Sequence, residues 1–170
     1  MSANFYPILK SYTETLLTEF DQIPNDRQEV LRELAHYIEH RLEHNQSVQL
    51  NFICTHNSRR SHISQIWASA AAHYFGLERI KCFSGGTEAT AFNPKAVAAM
   101  KRAGVHIEKS TIGRNPRYQV YCCDHILPIE VFSKTYDNPI NPKSDFAAIM
   151  TCNHADANCP FIPNAWRFAL

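Results

Sequence analysis

The sequence predicts an α/β protein: a mostly parallel, four-stranded sheet with helices on its faces, three layers in all, preceded by a helical extension. Three observations predict it. Short apolar runs alternate with helix-length runs from about residue 47 onward. Their order, strand, helix, strand, helix, strand, strand, calls for crossovers that lay successive strands parallel. The first of these strands delivers a cysteine into a polar loop closed by a helix start, and parallel sheets bind ligands at that edge.

The extension, residues 1–46, contains two helices, Phe5–Phe20 and Asp26–His44. The second is expected to use Asn25 as its cap, with Gln28 three residues on. In it Leu31, Leu34, Ala35, Ile38 and Leu42 form an apolar stripe that should pack on the following domain. His36, His40 and His44 fall opposite with Glu29, Glu33 and Glu43, either as a solvated face or as a metal site. The domain, residues 47–170, begins with the strand Gln49–Cys54. A helix over Ser61–Phe75 stops at Gly76, and a strand over Ile80–Ser84 follows. Asn93 caps and Pro94 begins a helix through Ala103. Arg117–Asp124 and Phe146–Cys152 complete the four strands. Cys122 and Cys123, adjacent on a strand, should point to opposite faces as structural residues, with Cys82 in the core.

Composition excludes several classes. With 170 residues, 45% hydrophobic, and a formal net charge of +1, the chain suits one domain with no electrostatic bias toward nucleic acid or a membrane surface. No apolar run approaches the ~20 residues of a membrane span, and the N-terminus lacks the pattern of a signal peptide. The six cysteines therefore read as reduced thiols in a cytoplasmic protein.

The chemistry concentrates at Cys54-Thr55-His56-Asn57-Ser58-Arg59-Arg60-Ser61. A strand ending at Cys54 and a helix starting at Arg60 or Ser61 aim the loop's N–H groups at one spot, where an oxyanion would sit. The same field should hold the Cys54 thiol below the usual ~8.5 and make it a nucleophile. Arg60 offers a planar fork to two oxygens of such an ion. Ser61 can donate to the thiolate, and Asn57 suits a left-handed turn whose side chain braces the loop. The plainer alternative is a buried cysteine acting as a small hydrophobe. For Arg59 and His62, the alternative is a solvent-facing helix start.

This loop resembles that of the low-molecular-weight protein tyrosine phosphatases and of the thioredoxin-coupled arsenate reductases that share their fold. Ser84-Gly-Gly-Thr-Glu-Ala-Thr-Ala-Phe-Asn93-Pro94 is similar to the family's second strand and helix. Cys152-Asn-His-Ala-Asp156-Ala-Asn-Cys159-Pro160 resembles the redox segment of the reductases. The resemblance runs from about Val48 to the chain end and implies a cysteine-dependent oxyanion enzyme without cofactor. As a reductase it would use a Cys54–Cys152–Cys159 relay, with arsenate as substrate and a thioredoxin-like protein as reductant. As a phosphatase it would hydrolyse phosphotyrosine or a small phosphate ester through a phosphocysteine on Cys54. A third reading is an inactive oxyanion-binding module. Cys152 and Cys159 have plainer readings too: core thiols, zinc ligands with His154, or inheritance in a phosphatase.

Some positions depart from the family's pattern. The family's acid, an aspartate before proline, lies after its last strand, and Trp166–Leu170 falls about where that loop begins. The resemblance thus implies a domain lacking the acid loop and final helix. Asp137-Asn138-Pro139 is similar in composition but lies within a stretch, 111–144, longer than the family's equivalent. His56 stands where the family has glycine. Arg59 stands where a second cysteine often occurs, leaving Cys152 as partner for Cys54. For the extension two roles stand open, a homodimer contact and a cover for the sheet.

Overall fold

Seven strands and five helices are organised around two sheets in the computed structural model, which describes residues 4–158 and 161–169. Helix α1 (Pro7–Leu17) leads through a single 3₁₀ turn, Phe20–Gln22, to α2 (Asn25–Glu43). Asn25 is the first helical residue of α2 and not its cap. Pro24 holds the cap position without a side-chain bond, and Gln28 Nε2 donates to the Ile23 carbonyl at 2.8 Å. Then follow β1 (Val48–Cys54), α3 (Arg60–Tyr74), β2 (Ile80–Gly86) and α4 (Pro94–Arg102). The remainder is β3 (His106–Lys109), β4 (Tyr118–Tyr121), β5 (Ile129–Val131), β6 (Phe146–Met150), α5 (Asn153–Asn158) and β7 (Ala165–Ala169).

The main sheet is parallel throughout, in the order β2-β1-β6-β7. Its central strands are apolar on both faces because both faces are covered. Val48, Leu50 and Phe52 of β1, with Ala147 and Ile149 of β6, pack beneath Leu34, Tyr37, Ile38 and Leu42 of α2 and Ala68 of α3. Ala35, expected in that stripe, is exposed. Ile53, Ala148 and Met150 face the other way, against Tyr136 and Ile162. Each fully buried Ile or Val here contributes roughly 1.5–3 kcal/mol.

The expected strand at 117–124 is β4, but it lies outside the parallel sheet. It is the middle of a separate antiparallel sheet, β3-β4-β5, and the fourth parallel strand is β7. The reason is visible in burial: β6 is buried at every position, as a parallel strand must be, whereas only Val120 of β4 is. Cys122 and Cys123 fall in a bend beyond β4 and are both buried, so the opposite-face expectation does not apply. The small sheet closes a second core, in which Ile107, Val120 and Val131 meet α1 (Leu9), α3 (Ile66, Ala70) and α4 (Ala96, Met100). Helix α3 therefore lies between the two sheets, and that fixes its N-terminus at the end of β1.

Local signals explain the helix ends. Asn93 caps α4 by accepting the Lys95 N–H at 2.9 Å, with Pro94 in the first turn. Gly76 takes φ +68° just beyond α3. No helix among the described residues is long and apolar enough to cross a membrane.

Candidate active site

Cys54 ends β1 in the middle of the parallel sheet, 3% exposed, and the loop 55–59 carries the chain to α3. Asn57 takes φ +42° at the loop's centre, the conformation its side chain tolerates best among non-glycine residues. Its amide works in two directions. Nδ2 donates to Ser61 Oγ at 2.8 Å, and Oδ1 accepts the Lys134 N–H at 2.8 Å. Ser61 Oγ lies 3.0 Å from Cys54 Sγ.

The loop's carbonyls are consumed by its surroundings. Cys54 O accepts the Thr87 N–H, and Thr55 O accepts the Glu88 N–H and the Thr87 hydroxyl. The His56 carbonyl accepts from Thr90 Oγ1 and Ser133 Oγ, both at 3.0 Å, and Ser58 O accepts the Asn93 N–H. With the carbonyls turned outward, the N–H groups of His56, Asn57 and Arg59 have no acceptor among the described residues. A cradle of unsatisfied amides beside a helix N-terminus holds an anion. Gly86, at the end of β2, is required by this packing: a Cβ there would meet Glu88 O and lie 2.7 Å from Asn57 N and from Thr55 O.

Cys152 follows β6 and is 7% exposed, in the same apolar cluster as Cys54. Thr55 Oγ1 sits 3.8 Å from Cys152 Sγ and 3.1 Å from His154 Nδ1. Burial pushes the Cys152 thiol up, but the Ala155 N–H, the Thr55 hydroxyl and backbone, and the charge of Arg60 outweigh it, so the thiol is held below its ordinary range. Cys159 lies outside the described residues. Arg60 opens α3 and is exposed, Arg59 occupies the cap position, and exposed His56 pairs with Glu88 at 3.8 Å.

Other candidates are placed apart from this group. His62 is fully buried rather than solvent-facing. Burial and the charge of Lys134 lower it to about 3, so it is a neutral packing residue whose Nε2 lies 3.2 Å from the Phe132 carbonyl. Asp137 is exposed on the turn after Tyr136. His40 and His44 stack at 4.3 Å on the exposed face of α2, and no set of three ligating side chains is assembled among the described residues. Two features are not foreseen from sequence: the 133–134 segment that braces the loop, and the contact of His154, read there only as a zinc ligand, with Thr55. Nothing local marks the first. For the second, His154 stands two residues from Cys152, a nearness that has meaning only once Thr55 is known to lie between them.

Comparison with known proteins places this geometry. A model of the family described as low molecular weight phosphotyrosine protein phosphatase matches residues 49–130, the stretch holding the loop, β2 and α4. An arsenate reductase of Staphylococcus epidermidis is 32% identical over 112 residues, 66% of this chain and 66% of that protein. The chain belongs to the low-molecular-weight phosphatase family. A further relative in this family, an arsenate reductase of Brevibacillus brevis, is 33% identical over 112 residues, 66% of this chain and 64% of its own length. The chain thus matches about two thirds of the length of these relatives. A solved thioredoxin-dependent arsenate reductase of Corynebacterium glutamicum aligns with 96% of this chain and 70% of its own, at 20% identity and a TM-score of 0.44. The matched stretch contains the loop 55–59, and the parallel sheet carries Cys54 and Cys152 to one edge.

Proposed function

We propose that this chain reduces arsenate to arsenite with its own thiols. The observation that carries the reading is the placement of a second, acid-shifted thiol, Cys152, in the buried cluster of Cys54, with Thr55 beside both the loop and that thiol. The names of the relatives support it.

Arsenate enters the cradle of loop amides, with Arg60 on its equatorial oxygens. Ser61 donates to the Cys54 thiolate, which attacks arsenic; a sulfur–arsenic bond forms and one oxygen leaves as water. Cys152 then attacks Cys54 Sγ. A disulfide forms, the sulfur–arsenic bond breaks with its electron pair on arsenic, and arsenic(V) departs as arsenite. Two thiols have supplied the two electrons. Cys159 attacks Cys152 and expels Cys54 as a thiolate, and a thioredoxin-like dithiol protein reduces the resulting Cys152–Cys159 disulfide.

The test is arsenate-dependent NADPH oxidation in the presence of thioredoxin and thioredoxin reductase, with para-nitrophenyl phosphate hydrolysis measured in parallel. Turnover of arsenate that is abolished in both Cys54→Ser and Cys152→Ser is the expected result. Ester hydrolysis lost only in Cys54→Ser, with no arsenate turnover, overturns reduction in favour of phosphatase chemistry. Silence in both assays leaves an oxyanion-binding module.

A further inference from the structure

A thiol that attacks Cys54 must first lose its proton, and at Cys152 the route for that proton is laid out. Cys152 is 7% exposed and Thr55 6%. Among the described residues Thr55 Oγ1 is a polar side-chain atom near its sulfur, at 3.8 Å, and the same oxygen lies 3.1 Å from His154 Nδ1. A hydroxyl has one proton to donate and lone pairs with which to accept. Either atom of each contact can donate, and one permitted arrangement runs S–H to Oγ1 and Oγ1–H to Nδ1, with Nδ1 the ring nitrogen that lacks a proton. His154 itself is exposed, at the start of α5, where an imidazolium can pass its proton to solvent.

We propose that His154 accepts, through the Thr55 hydroxyl, the proton that Cys152 must lose before it attacks Cys54. The inference rests on the reduction proposed above and names a residue for it. The proton balance is simple. Thr55 Oγ1 takes the thiol proton as it gives its own to Nδ1, leaving a Cys152 thiolate that accepts a hydrogen bond from Thr55, which in turn accepts one from imidazolium. The charges formed are one negative sulfur and one positive ring, and no outside reactant is needed. His154 does not touch the oxyanion; it is a positioning residue that acts on Cys152 through Thr55. An imidazole suits the task because one ring nitrogen can accept a proton while the other gives one up.

The experiment is a single turnover with arsenate in a Cys159→Ser chain, which halts the relay at the Cys54–Cys152 disulfide. Disulfide formation is followed by rapid quench and mass spectrometry. His154→Gly should slow it by ~100-fold, in the range that proton transfer supplies, and added imidazole should restore much of the rate. Thr55→Ser, which keeps the hydroxyl, should remain fast, and Thr55→Val should be slow without responding to imidazole. Arsenate protection of Cys54 against iodoacetate shows that each variant has kept its fold and loop. A protected His154→Gly chain that forms the disulfide at the parent rate, or a slow one that imidazole does not restore, overturns the proposal while reduction stands. A parent chain that forms no arsenate-dependent disulfide overturns the reduction and this proposal together.

Discussion

The Ser61 hydroxyl carries a single proton, and Asn57 Nδ2, by donating to the same oxygen, leaves that proton the Cys54 sulfur to bond. Asn57 also takes the Lys134 N–H, so one side chain sets both the loop's shape and the polarity of the contact at the Cys54 sulfur. Asn57→Ala should slow alkylation of Cys54 by iodoacetate at neutral pH by about tenfold or more. It should also cost ~1–3 kcal/mol in a urea unfolding curve, because a buried N–H loses its acceptor. A variant with unchanged alkylation would show that Asn57 does not govern the thiol. Much at this scale is legible in sequence. An asparagine three residues beyond a strand-end cysteine announces a left-handed turn, and Ser61 and Arg60 follow from their place at the helix start. The Lys134 and Ser133 contacts are not legible, since they bridge 77 residues and use a backbone N–H and a common serine.

Helix α2 is fastened to the sheet by an ion pair as well as by its apolar face. Arg41, 9% exposed, donates to both carboxylate oxygens of Asp145 at 2.5 and 2.6 Å and to the Ser47 carbonyl, tying the end of α2 to the starts of β1 and β6. The bond to Arg41 holds the Asp145 carboxyl below its ordinary value. A depressed folded value stabilises the protein at pH above the unfolded carboxyl's ~3.9, and this stabilisation fades as pH falls through the folded value. The stability of the parent chain, followed by circular dichroism, should therefore fall more steeply with falling pH than that of an otherwise identical chain lacking the pair, from a higher value near neutrality. Asp145→Asn should show a flatter acid limb, and an unaltered limb would remove the pair from the stability account. Elements with long, capped or strongly apolar patterns, α2, β1, α3, α4 and β6, can be read in advance. The short ones, β5 with three residues, α5 with six and the half-exposed β7, have too few positions for a period to declare itself.

Across the described residues three thiols are shifted, in opposite directions. Cys82 and Cys122 are pushed by burial to about 11 and about 12, Cys122 also by the neighbouring Cys123, whereas Cys152 is held low. Titration of the native chain with a disulfide reagent at pH 7.5 should leave Cys82 and Cys122 unmodified until denaturant is added, as peptide mapping would show. Early labelling of Cys122 would mean that the second core opens readily, and of Cys82 that the core beneath α2 does. The parallel architecture is legible because alternating patterns demand crossovers. The antiparallel sheet is not, because a single strand pattern at 117–124 does not say which sheet it joins. That small sheet delivers Ser133 and Lys134 to the loop, and β6, which flanks β1, comes later still. During synthesis the first half of the chain would therefore leave the ribosome with its cysteine but without the clamps that shape its surroundings. The loop's final shape would arise late, after translation has passed residue 150, so a nascent chain would carry Cys54 with its surroundings still unbuilt.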